Sequence, residues 1–228
     1  STSASGSANN VKQSMGLYAQ NGTLTYDSTT GELKSVGGNT ILAYADTGSI
    51  INYNGGRTLQ VGFNSIGVGA KGGTVNANTA TQIAVNGANG IGAYVNNGGN
   101  VDSKFKIKVK NAKGRGVYAT GTVSSYPEVD ELKGDESVGY IFENVTNVVN
   151  IANPILVNDS TAKGQVGVLA QGTGLGMNVN GISVSGNNNT GVYSSTGQTV
   201  TNNGPLTLGA SAGNSSIGIY SKGGAVIN

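Results

Sequence analysis

A six-residue phrase returns from one end of the chain to the other. It reads Ser14-Met15-Gly16-Leu17-Tyr18-Ala19 near the start and Ser216-Ile217-Gly218-Ile219-Tyr220-Ser221 near the end, with clear copies around Tyr94, Tyr118 and Tyr193. Weaker copies around Tyr44, Gly69, Ile141 and Leu169 fill the gaps, so the Tyr18-equivalent positions are 18, 44, 69, 94, 118, 141, 169, 193 and 220, about 25 residues apart. A unit this short cannot bury its own apolar face and has to stack on its neighbours. Nine copies therefore predict one elongated body over residues 1–228 in place of one or two globular domains.

Each unit holds three short extended stretches. The phrase is the first, with apolar residues at alternate positions, the period of a strand. The second follows a Gly- and Asn-rich turn, as in Thr23-Leu24, Ile50-Ile51, Thr74-Val75, Asn100-Val101, Thr122-Val123, Thr199-Val200 and Ala225-Val226. The third is an apolar-x-apolar element: Leu59-Gln60-Val61, Ile83-Ala84-Val85, Ile107-Lys108-Val109, Ile155-Leu156-Val157, Ile182-Ser183-Val184 and Leu206-Thr207-Leu208. Asn-Gly pairs such as Asn86-Gly87, Asn97-Gly98, Asn180-Gly181 and Asn203-Gly204 accept positive φ and turn the chain between stretches.

The expectation is an all-β chain, a parallel β-helix of about nine coils with three short strands each, stacked about 4.8 Å apart over roughly 40 Å. A helical reading fails because 39 of the 228 residues are Gly and no 3.6-residue stripe appears. The Leu-x-x-Leu-x-Leu signature of a leucine-rich repeat is missing, and a propeller or sandwich would need antiparallel hairpins. Disorder is disfavoured because the apolar residues recur at fixed places in every unit.

Alternation along the phrase sends Met15, Leu17 and Ala19 and their equivalents inward. The opposite set is then a Gly row (Gly16, Gly67, Gly92, Gly116, Gly139, Gly167, Gly191, Gly218) beside a Tyr row (Tyr18, Tyr44, Tyr94, Tyr118, Tyr193, Tyr220), broken at Gly69, Ile141 and Leu169. The Tyr row is a candidate binding surface, since aromatic faces suit sugar rings and protein contacts. It is equally what stacked identical residues produce to stabilise neighbouring rungs. A second candidate is a charged patch. Lys104, Lys106, Lys108 and Lys110 alternate with apolar residues on one strand, and Glu128 and Asp130, one period of 24 later, are expected above Lys104 and Lys106. Residues 102–136 carry seven of the 13 basic and six of the 11 acidic residues, so the block reads either as exposed ion pairs or as a docking patch.

Cys, His and Trp are absent, which removes thiol and imidazole metal sites, disulfides and His-based acid/base catalysis. Net charge +2 lacks the concentrated basic face that nucleic acid requires. No apolar run reaches the roughly 20 residues of a membrane-spanning helix, so this segment is expected to make no membrane contact of its own. Carboxylates are scattered among turns (Asp27, Asp46, Asp159) or sit in the charge block, and Gly172-Thr173-Gly174-Leu175-Gly176 lacks the strand-to-helix setting of a phosphate loop. No catalytic, cofactor-binding or metal-binding residue is assigned, and the chain is expected not to be an enzyme.

Three stretches carry a family resemblance: Ser216-Ile217-Gly218-Ile219-Tyr220-Ser221, the trailing Gly223-Gly224-Ala225-Val226-Ile227-Asn228, and Asn202-Asn203-Gly204-Pro205-Leu206-Thr207-Leu208. With the repeat as a whole, they resemble the passenger region of large autotransporter adhesins, especially the fusobacterial type. The resemblance implies a right-handed β-helix, carried to the bacterial surface by a C-terminal outer-membrane barrel or secreted, and used to adhere to host cells or other bacteria. It implies a monomeric stalk whose partner is a surface protein or glycan, and it assigns no residue-level binding motif. Residues 8–13 read as the approach to a coil, so the chain is expected to be a fragment of a longer passenger. The alternatives are a β-helical polysaccharide-degrading enzyme, or a passive spacer with binding carried elsewhere in the parent chain.

Overall fold

The computed structural model describes residues 3–6, 14–28, 30–195, 197–209 and 215–228; residues 8–13 lie outside them. All regular structure among the described residues is strand. Each strand pairs in parallel with its counterpart one coil away, which makes a β-solenoid of about 8 turns at ~25-residue spacing. The first face is one nine-stranded sheet: Ser14–Ala19, Thr40–Ala45, Ile66–Lys71, Ile91–Asn96, Arg115–Gly121, Val138–Val145, Val166–Gln171, Thr190–Ser194 and Ile217–Ser221.

The other two faces are interrupted. The second runs Thr23–Tyr26, Ile50–Tyr53, Thr74–Ala77 and Asn100–Val101, then resumes as Val149–Ile151, Met177–Val179, Val200–Asn202 and Val226–Ile227. The third runs from Ser3–Gly6 through Lys34–Gly37, Leu59–Val61, Thr81–Val85 and Phe105–Val109 to Glu128–Leu132, then resumes as Ile155–Val157, Ile182–Val184 and Leu206–Leu208. Every apolar-x-apolar element read from the sequence is thus a third-face strand. Thr122-Val123 is not a strand: the second-face ladder skips that coil.

Period-two alternation of β-branched residues builds the core. On the third face Ile83 pairs with Leu59 and Val85 with Val61, and then Ile107 and Val109 follow in register, all fully buried. Each such side chain contributes about 1.5–3 kcal/mol of transfer free energy, and the columns repeat it coil after coil.

The first face departs from simple alternation, and the glycines are the reason. The Gly row points inward: a Cβ built on Gly67 would lie 2.9 Å from Ile83 Cγ2 and 3.0 Å from Val61 Cγ2, both core side chains of the third face. The ladder skips each of these glycines, pairing Met15 with Ile41 and next Leu17 with Ala43. The chain bends there so that two successive residues, Gly67 and Val68, both face the core. Met15 and its equivalents consequently turn outward, with Met15 45% and Ile217 42% exposed. The expected inward Met15 column and outward Gly row are therefore exchanged. Leu42 is the single non-glycine in that row; it is fully buried, and the third-face residue beside it, next to the Lys34–Gln60 pair, is the small Ser35 where other coils carry Val.

The corner between third and first faces is also regular. A residue with positive φ recurs as Asn39, Asn64, Asn89, Lys113, Glu136, Gly164 and Asn188, each immediately before the phrase. Asn97 and Gly98, and Gly181, take positive φ as expected from the Asn-Gly pairs, but at 86–87 the left-handed residue is Asn89 instead. The next residue in this corner is buried and polar in several coils. Gln165 is the largest, donating from Nε2 to the Leu132 carbonyl (3.1 Å), the Gly134 carbonyl (3.2 Å) and Ser137 Oγ (3.2 Å).

Candidate binding surface

The register places the nine Tyr18-equivalent residues in one column. Tyr18 pairs with Tyr44, Tyr44 with Gly69, Gly69 with Tyr94, Tyr94 with Tyr118 and Tyr118 with Ile141. Ile141 then pairs with Leu169, Leu169 with Tyr193 and Tyr193 with Tyr220. Consecutive rings stack, with centroids 6.3 Å apart for Tyr18–Tyr44, 5.8 Å for Tyr94–Tyr118 and 5.1 Å for Tyr193–Tyr220.

The breaks in the row do not open it. A Cβ at Gly69 would lie 2.6 Å from Tyr44 Cδ2, so the Tyr44 ring already roofs that rung. Ile141 is buried without joining the core cluster, and Leu169 is half-buried, so the column stays apolar throughout. The hydroxyls are tied to the flank: Tyr18 donates to Asp46 Oδ2 at 3.5 Å, Tyr118 donates to the Glu143 carboxylate, and Tyr94 accepts from Asn96 Nδ2 at 3.0 Å. Burial, then Asp46, Tyr94 and Tyr18, push the Tyr44 phenol above its ordinary range, so the ring stays neutral.

A second column missed by sequence reasoning lies beside it. Met15, Ile41, Ile66, Ile91, Arg115, Val138, Val166, Thr190 and Ile217 are in ladder register one after another. Ile41 is buried yet, like Ile141, is not in the core cluster. The first face therefore presents two mostly apolar columns outward, the second interrupted by Arg115 and Thr190. The second face carries amides instead: Asn76 Nδ2 donates to Asn52 Oδ1 at 3.0 Å and Asn178 Nδ2 to Asn150 Oδ1 at 2.7 Å. Asn52 and Asn76 help line a polar cleft of about 380 Å³, reaching Asp102 and Lys104.

The charge block forms at a different register from the one expected. Lys106 pairs with Glu128, and after a bulge between Ile107 and Lys108 the partner of Lys108 is Glu131. Lys106 bonds the Glu128 carboxylate, Lys108 lies 3.9 Å from Glu131, and Lys133 2.7 Å from Glu131. Asp130 is the extra residue of the bulge and makes no ion pair among the described residues; it does not sit above Lys106. Two effects cause the shift: the missing second-face strand shortens the path to Glu128, and the bulge restores one residue afterwards. Lys104 and Lys110 flank the strand and are exposed without ion pairs among the described residues.

Among the described residues no three His, Cys, Asp or Glu side chains are grouped to hold a metal ion, and no helix is long and apolar enough to cross a membrane. Comparison with protein families, curated proteins and solved structures finds no match to this chain.

Proposed function

We propose that this chain is a stalk segment of a cell-surface adhesin that attaches a bacterium to host cells or to other bacteria. The observation that carries the reading is the pair of outward columns on the first face, in register over nine rungs and mostly apolar, the second broken only by Arg115 and Thr190, on a body whose second face carries amide pairs and whose third face carries paired charges. A run of apolar side chains repeated outward along one face marks a contact site. Its half-buried tyrosines offer amphipathic rings of the kind favoured at protein and sugar contacts. Repetition multiplies weak contacts, so avidity grows with the number of engaged rungs. Lys106, Lys108 and Lys133 of the charge block engage Glu128 and Glu131, which makes that patch the weaker candidate for docking.

The test is attachment of the purified chain to host and bacterial cells, with Tyr94→Ser and Tyr118→Ser combined. Attachment should fall at least about tenfold in the double variant, because the centre of the strip is lost. Unchanged attachment by the variant would move the contact off the strip. No attachment by the wild-type chain would leave a spacer, and steady release of oligosaccharide from a polysaccharide would replace the reading with an enzyme.

A further inference from the structure

The interruption of the second face leaves a notch with chemistry of its own. Between Asn100–Val101 and Val149–Ile151 no strand fills the ladder; a single bridge, Asn100 to Ser125, crosses the gap. The Asn147 side chain stands in for the missing strand, accepting from Val123 N and donating to the Val123 carbonyl, each at 2.9 Å. What remains is a cavity of about 220 Å³ whose lining includes Ser103, Ser124, Tyr126, Glu128, Tyr140 and Asn150.

Three features of this cavity point to a ligand. Tyr140 is only 5% exposed; its oxygen accepts from Val129 N at 2.8 Å, and its O–H hydrogen has no acceptor among the described residues. Burial pushes the Tyr140 phenol far above its ordinary range, so it stays protonated and able to donate. The Ser103 and Ser124 hydroxyls are exposed and make no hydrogen bond among the described residues. Finally, Tyr126 supplies an aromatic wall, held by its donation to the Asn150 carbonyl (2.7 Å) and by T-shaped contacts with Tyr140 (6.1 Å) and Phe142 (5.4 Å).

We propose that the notch is a subsite for one neutral sugar ring, a hexopyranose at the end or branch of a glycan. An aromatic wall facing free hydroxyls matches a pyranose, which has apolar C–H patches ringed by groups that both donate and accept. The volume lies below the roughly 300–1,000 Å³ of pockets that take drug-sized ligands, so it holds one ring and not a chain of them. Glu128, whose carboxylate is held by Lys106, lines the cavity, and Asp130, which makes no ion pair among the described residues, adds negative charge acting on the same Tyr140, so a sialic or uronic acid carboxylate is disfavoured. The inference deepens the adhesive reading by naming the ligand chemistry, and rests on that reading for its use on a cell.

The experiment is titration of the ¹⁵N-labelled chain with glucose, galactose, mannose and their N-acetylated amino sugars, and in parallel with glucuronic and N-acetylneuraminic acids. Saturable shifts at Ser103, Ser124, Tyr126 and Asn150 are expected with at least one neutral sugar and with neither acid. The double variant Ser103→Ala, Ser124→Ala changes exposed side chains and should fold as the parent does while binding at least tenfold more weakly. Glu128→Gln should admit the acids. No saturable shift at the notch with any neutral sugar, or equal binding of the acids by the parent, overturns the proposal. Cell attachment by the same proteins separates the two readings. If the double variant loses sugar binding but still attaches, the notch is not the adhesive subsite and the Tyr strip stands. If the parent binds sugar but attaches to no cell, the subsite stands and the adhesive reading falls.

Discussion

The coils between residues 66 and 118 and the coil between residues 122 and 145 fill the same interior in opposite ways. In the former, the inward first-face positions are small, Val68 and Ala70, Ala93 and Val95, Val117 and Ala119, and all three faces carry strands. In the latter those columns hold Tyr140 and Phe142, stacked 6.1 Å apart with Tyr126 wedged against both. The second-face strand disappears, and bulges enter the ladders on either side, at Ile107/Lys108 and at Thr120/Gly121. The interior of a coil has a nearly fixed volume at crystal-like packing density. Aromatic bulk from one face is accommodated by displacing the wall of another, and the ladder bonds lost there are replaced by the Asn147 amide. The pair Leu42 and Ser35 makes the same exchange on a smaller scale, adding volume to the Gly row and removing it from the Val column.

The exchange can be broken most severely at Gly67. Gly67→Leu places a Cβ 2.5 Å from the Gly92 carbonyl oxygen and drives the side chain into Ile83 and Val61, and should destabilise the chain by about 3 kcal/mol, since overpacking adds to backbone displacement. Val61→Ser alone should cost about 2 kcal/mol through a cavity. If volume is the currency between columns, the double variant rebuilds the Leu42 and Ser35 arrangement. It should then be more stable than the sum of the two singles by at least about 1 kcal/mol in denaturant unfolding. Strict additivity would show that position, not volume, decides. In the irregular coil the corresponding break is Asn147→Ala. It removes both surrogate backbone bonds and should cost about 2 kcal/mol, with Val123 amide exchange accelerated. Asn52→Ala, which removes one outward amide bond in a regular coil, should cost about 0.5 kcal/mol or less.

The regular coils were legible from the sequence because periodic columns need only a period: the phrase located the first face, and the apolar-x-apolar elements the third. The bend at the Gly row was not legible from alternation, which assumes an unbroken strand. Two pairs of residues did carry the signal: Arg115 and Thr190 occupy the Met15 column, where a core position would not place them, and Leu42 with Ser35 trades size across faces. The Tyr column was legible as a column, and its aliphatic companion was hidden by the same assumption. The irregular coil was opaque for a physical reason. An amide replacing a strand and a bulge displacing Asp130 are tertiary events, and no local pattern near Val123 or Asp130 encodes them. The notch follows from that missing strand and was equally invisible.

Smaller effects sharpen the comparison at the corner that both kinds of coil share. Most coils place Asn or Gly in its left-handed position, but Lys113 and Glu136, which bracket the irregular coil, do so with φ of 58° and 56°. Their side chains lie 3.7 Å apart and both are exposed, so the pair contributes little. A side chain without a local hydrogen-bonding group costs about 1 kcal/mol more than Gly or Asn there. Lys113→Asn and Glu136→Gly should therefore each stabilise by about 0.5–1 kcal/mol, raising the thermal midpoint. No gain at either site would mean that the corner geometry relaxes around the irregular coil.

The smallest effect contrasts two neighbours on the bulged strand. Glu131 is held below the ordinary carboxylate range, first by the hydrogen bond from Lys133, against desolvation. Asp130, put out of register by the bulge, is held above it, first by desolvation, against Lys106. The signs of their pH dependence are opposite. The contribution of Glu131 is present above its unfolded value of 4.5 and is lost as pH falls through its lowered folded value. The folded state binds the Asp130 proton more tightly than the unfolded chain does, so ionisation of Asp130 destabilises as pH rises past 3.8 and through the raised folded value. Asp130 is exposed and Glu131 keeps part of its side chain in solvent, so each effect is screened to at most a few tenths of a kcal/mol. Asp130→Asn should raise the thermal midpoint slightly at pH 7 and Glu131→Gln should lower it slightly; the first difference should vanish below pH 3.8 and the second as pH falls through the lowered folded value of Glu131. Like signs for the two variants at pH 7 would mean that the bulge does not separate the environments of these two carboxylates.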